Sequence, residues 1–170
     1  MKTFYRIVVI ICSSIIIVTL SYGIIAALTQ GIEVVGLTLV TIEFPPMNIF
    51  PLFYSKPVTW FAAAFLVFWY CSLELNMEKI KSIPKPIRDF LKFLAFFIGS
   101  MAIYEVLFNF TFWSGQMAAD AIRLQLNPDI IVNPFPNPES PWSIVFATKL
   151  FTILTIISFY SFYFLQKIEK

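Results

Sequence analysis

Glu105, Asn109 and Lys149 are the residues of this chain whose types and setting can do chemistry. Glu105 and Lys149 are charges inside long apolar runs, and Asn109 follows Glu105 by one helical turn on the same face. Beside Lys149, the residues Thr148, Thr152, Thr155 and Ser158 recur at four, three and three positions, a seam of hydroxyls along one helix face. An ionised side chain at mid-bilayer costs at least about 2.5–3.5 kcal/mol, so an embedded glutamate and lysine at one depth are expected to meet. The pair offsets that cost only if its remaining hydrogen-bonding groups are satisfied, a role open to Asn109, Thr148 and Thr152. Two readings stand side by side. One is a structural ion pair; the other is a polar path for a proton, ion or solute, or a contact to a neighbouring subunit's charge.

Other chemistry is poorly supplied. The 170 residues contain no histidine, which removes the usual ligand of haem and copper sites and the usual acid–base group. Cys12 and Cys71 lie in apolar runs with no Cys-x-x-Cys spacing, so they read as small buried hydrophobes and not as a redox pair. Five glycines leave little room for a phosphate-cradling loop, and neither a zinc-protease His pair nor a nucleophile elbow is present. Glu33, Glu43, Asp120, Asp129 and Glu139 show no metal-ligand spacing, so no metal site is predicted and no cofactor is indicated. Asn109-Phe110-Thr111 matches a glycosylation sequon but lies within an apolar run.

The elements that must position these residues are membrane helices. The chain is 59% hydrophobic and 13% charged, with a mean hydropathy of +0.81, which makes bilayer its solvent. A hydrocarbon core of about 30 Å needs about 20 apolar residues in a helix. Four runs meet that length, at 7–28, 57–75, 90–113 and 142–166, within a single domain over 1–170. The first also resembles a secretory signal, with a basic start and Ala26-Ala27, but its apolar run exceeds the usual 7–15 residues, so an uncleaved span is expected. Pro57 suits the first turn of the second span, and Ser140-Pro141 forms a cap and first turn for the fourth.

The connections differ in kind. Residues 76–89 form a basic loop with Lys79, Lys81, Lys85 and Arg88. Residues 29–56 and 114–141 are long and proline-bearing. In the first of these, Leu37 to Phe44 predicts a short extended piece, and Phe50, Phe53 and Tyr54 place aromatic surface outside any span. In the second, Gly115 to Leu126 predicts a short amphipathic helix, and the Asn-Pro repeats around Phe135 predict a rigid extended spacer. Phe50, Phe53, Tyr54 and Phe135 are the candidate partner contacts.

Lys and Arg set the orientation. With both termini cytoplasmic, Lys2, Arg6, Lys79, Lys81, Lys85, Arg88, Lys92, Lys167 and Lys170 share that side, against Lys56 and Arg123 outside. Glu105 lies eight residues before Trp113 and Lys149 eight after Pro141, which places each about 12 Å below the outer end. The expectation is an all-α, four-span protein of the plasma membrane, N-in and C-in, with two long extracytoplasmic connections. A net charge of +2 gives no reason to expect nucleic acid. The partners expected are lipid and other membrane subunits. The function expected is that of a non-catalytic subunit of a larger membrane complex, by analogy of size and topology with respiratory and oxygenase complexes, an analogy that carries no function by itself. A small transporter using Glu105, Asn109 and Lys149 is the alternative.

Overall fold

The computed structural model describes residues 2–31, 48–50, 53–54, 56–122 and 142–169. Among these, nearly everything is helix. The order is α1 (Lys2–Gln30), a ladder of β1 (Asn48–Phe50) and β2 (Phe53–Tyr54), α2 (Pro57–Leu75), α3 (Met77–Lys81), α4 (Lys85–Ile122) and α5 (Trp142–Lys167). Four helices, α1, α2, α4 and α5, are long and apolar enough to cross a membrane.

Local chemistry sets the helix ends. Gly31 closes α1 at φ 96°, a left-handed conformation costly for a residue with a Cβ, and its N–H reaches the Ala27 carbonyl at 3.0 Å. Pro57 opens α2 at the first turn, where its missing N–H costs nothing, and the extended Lys56 offers its carbonyl to Thr59 and Trp60. Asn76 ends α2 by donating from both its backbone N–H and its side-chain Nδ2 to the Ser72 carbonyl. Pro86 sits in the first turn of α4 for the same reason as Pro57.

Within the helices the hydroxyls are turned back on their own backbone. Ser13, Ser14, Thr19, Ser100, Thr111, Thr155 and Ser161 each donate to the carbonyl four residues earlier, at 2.7–3.0 Å. A polar donor satisfied inside its own helix needs no water, the condition that hydrocarbon imposes. The apolar side chains behave to match. Only 11–22% of the most hydrophobic window of each long helix is buried, and Ile10, Leu28, Phe93 and Phe110 are each exposed by more than 60%. Such a surface in water is far beyond what a soluble monomer carries.

The helices form an open row. Trp69, Tyr70 and Glu74 near the end of α2 meet Ser161, Tyr160 and Lys167 near the end of α5, so these two run parallel. Tyr5 at the start of α1 meets Tyr70, and Lys92 at the start of α4 meets Glu169 just beyond α5, so both outer pairs are antiparallel. The spatial order is α1, α2, α5, α4, and among the described residues no Cα of α1 lies within 8 Å of α4 or α5, nor any of α2 within 8 Å of α4. Both chain ends and the basic linker therefore share one end of the molecule.

Two features differ from the sequence expectations. The short helix expected over Gly115 to Leu126 is not separate: α4 continues from the span through Trp113 to Ile122, because nothing from Ser114 to Ile122 denies the backbone a hydrogen bond. The aromatic segment of the first long connection forms an antiparallel ladder pairing Asn48 with Tyr54 and Phe50 with Phe53. The extended piece expected at Leu37 to Phe44 and the spacer around Phe135 lie outside the described residues.

Candidate functional site

The α4–α5 seam is built on small residues. Ala95, Gly99 and Ala102 recur at four and three positions on one face of α4, and Ala102 is 1% exposed. A Cβ added to Gly99 would stand 3.3 Å from the Phe159 ring and 3.3 Å from the Ser158 Cβ, a tight contact that glycine avoids, which favours this close approach of the helices. Phe96 flanks the contact, its ring 6.2 Å from that of Phe159 and 5.6 Å from that of Phe162.

Continued along α4 at the same spacing, this face carries Glu105, Asn109 and Trp113, all half-buried, while Tyr104, Leu107, Phe108 and Phe110 are exposed. The embedded carboxyl and amide thus lie on the α5-facing side. Gly99 opposite Ser158 and Phe159 fixes the register. In an antiparallel pair this puts Glu105 level with Thr152, and Asn109 level with Thr148 and Lys149.

Lys149 accordingly stands about 5 Å along the axis from Glu105, and not at its depth. The expectation of equal depth took Trp113 and Pro141 as facing helix ends, whereas α4 runs nine residues past Trp113. Among the described residues Glu105 and Lys149 form no ion pair within 4.0 Å. Thr152 donates to the Thr148 carbonyl at 2.7 Å and Thr155 to the Phe151 carbonyl at 2.8 Å, which leaves the hydroxyl oxygens as acceptors. The seam therefore offers a carboxyl, then one turn further from the terminus-bearing end an amide and an amine, with threonine acceptors alongside.

The terminus-bearing end holds a second polar cluster. Lys92 bridges Asp89 and Glu169, the latter at 2.7 Å, and Arg88 meets Glu169 at 3.3 Å. Lys167 reaches Glu74 at 3.9 Å. Tyr5, Tyr70 and Tyr160 link α1, α2 and α5 there, with ring centroids 6.3 and 5.3 Å apart. Just inside this rim, Trp69 Nε1 donates to Ser161 Oγ at 2.8 Å.

Sequence reasoning passed over Ser161 and Gly99. The available signal was the recurrence of Ala95, Gly99 and Ala102, a small-residue stripe of the kind that draws membrane helices together. No signal marked Ser161 as the partner of a tryptophan 92 residues away. Of the candidate partner contacts, Phe50, Phe53 and Tyr54 fall on the β ladder. No group of three or more His, Cys, Asp or Glu able to hold a metal occurs among the described residues.

The fold defines a class: a helical bundle with four candidate membrane-spanning helices, the arrangement of a multi-pass membrane protein. No family model, curated protein or solved structure matches the chain.

Proposed function

We propose that this chain is a non-catalytic integral membrane subunit that assembles with and stabilises a larger membrane complex, of the kind found in respiratory or oxygenase systems. It sits in the plasma membrane with both termini cytoplasmic and the two long connections outside, as the distribution of Lys and Arg favours. The observation that carries this reading is the open row: among the described residues α1 and α4 each pack against a single neighbouring helix and enclose no path between them. Glu105 lies half-buried on that row without an ion-pair partner among the described residues, and an embedded carboxyl in that state calls for a charge or donor from elsewhere. A neighbouring subunit supplies it.

The alternative is a small ion, proton or solute transporter. It is favoured by Asn109 and Lys149 sharing a level beside Thr148 and Thr152, and it requires a second copy to close the row. Purification of the tagged chain from its own membranes in mild detergent separates the two. The subunit reading expects stoichiometric companion polypeptides, lost in Glu105→Leu while the variant keeps its helical circular dichroism. A chain that purifies as a homo-oligomer and moves solute in liposomes overturns it.

A further inference from the structure

The row of helices encloses a groove at its terminus-bearing end. Because α2 and α4 flank α5 without approaching each other, the space between them is floored by α5 from Leu154 to Leu165 and walled by Trp69 and Leu73 on one side and by Leu94 and Ala95 on the other. Ile80 and Ile83, from α3 and the turn after it, close one end. The cavity measures about 410 Å³, within the range of roughly 300–1,000 Å³ typical of small-molecule sites.

Its shape and chemistry select the occupant. The floor spans eleven residue steps of helix, about 16 Å. A methylene chain, with carbon contacts at about 4 Å, can lie along an apolar trough of that length. The lining is almost wholly hydrocarbon, and the Ser161 hydroxyl is engaged between Trp69 Nε1 and the Ile157 carbonyl. Ser158 adds the other hydroxyl on the lining, so the groove offers little to a polar group.

The recognition lies at the closed end. Lys79, Lys81 and Lys85 flank Ile80 and Ile83, are exposed, and form no ion pair among the described residues. Arg88 donates to the Lys81 carbonyl at 3.4 Å and holds this linker against the start of α4. A hydrocarbon slot that ends beneath three exposed lysines, which outnumber the neighbouring Glu78 and Asp89, is complementary to a molecule with an apolar tail and an anionic head.

We infer that the groove between α2 and α4 holds one acyl chain of an anionic phospholipid, whose phosphate lies against Lys79, Lys81 and Lys85. The lipid fills the gap that these two helices leave over α5. It thereby joins α2 to α4 where the protein does not.

The test is native mass spectrometry and titration of the purified full-length chain with phosphatidylglycerol and, separately, phosphatidylcholine. The wild type retains one phosphatidylglycerol and releases phosphatidylcholine. With each surface cation contributing about fivefold, Lys81→Gln with Lys85→Gln weakens phosphatidylglycerol binding by roughly 25-fold. Leu94→Trp and Ala95→Trp, which fill the slot, abolish retention. Equal retention of the two lipids, unchanged affinity in the lysine variant, or full retention in both tryptophan variants overturns the proposal. If a tryptophan variant loses its helical circular dichroism, the lysine variant decides alone, since both of its changes lie on exposed side chains.

Discussion

Trp69 on α2 donates a 2.8 Å hydrogen bond to Ser161 on α5, whose hydroxyl donates in turn to the Ile157 carbonyl. This relay is a side-chain hydrogen bond between the two inner helices of the row, and it stands where the α1–α2 and α4–α5 pairs are joined. Its loss should be felt as a loosening of one pair from the other.

Interhelical hydrogen bonds in membrane proteins average about 0.6 kcal/mol and reach about 1.7 kcal/mol. Trp69→Phe and Ser161→Ala are each expected to destabilise by about 0.5–1.5 kcal/mol, with the double variant less than additive. Reversible unfolding in mixed micelles reads this out. Strict additivity would mean that the two side chains do not interact.

Gly99 sets the approach of α4 to α5. A methyl group there meets Phe159 and Ser158 at 3.3 Å, so Gly99→Ala is expected to cost about 1 kcal/mol while Phe159 shifts. Gly99→Leu, which cannot be accommodated by a small shift, is expected to cost about 1–3 kcal/mol or more. Stability that rises in either variant would show that the helices do not touch here.

The same contact fixes the register. In a background lacking Cys12 and Cys71, a cysteine at 109 is expected to cross-link with one at 148 or 149, and a cysteine at 105 with one at 152. Preferred cross-linking of 105 with 149 would place Glu105 and Lys149 at one depth after all.

Much of this was legible in the residues, and the part that was not has physical causes. Hydropathy and length located the four long helices, while Pro57 marked a start because a proline in the first helical turn gives up no hydrogen bond. The far end of α4 was misjudged because Trp113-Ser114-Gly115 looks like an interface followed by a break, yet a single glycine does not interrupt a helix. The order of the row was hidden as well: a nine-residue linker between α2 and α4 suggests neighbours, and only three-dimensional packing puts α5 between them. Equal depth for Glu105 and Lys149 followed from the wrong choice of end and fell with it.

Glu169 gathers two cations at the terminus-bearing end, meeting Arg88 at 3.3 Å and Lys92 at 2.7 Å. Its carboxylate is a quarter exposed, so Glu169→Gln is expected to cost about 1 kcal/mol, an effect that shrinks as salt rises. Melting temperature measured at low and at molar salt checks it. A loss of several kcal/mol that persists in high salt would mean that the cluster is shielded from solvent.

The most direct measurement for the proposed role is native mass spectrometry of the assembly extracted in mild detergent from the membranes in which the chain is made. The account predicts that this 19.6 kDa polypeptide appears within a larger mass together with different polypeptides in fixed ratio. Its appearance alone, or only with copies of itself, contradicts the account.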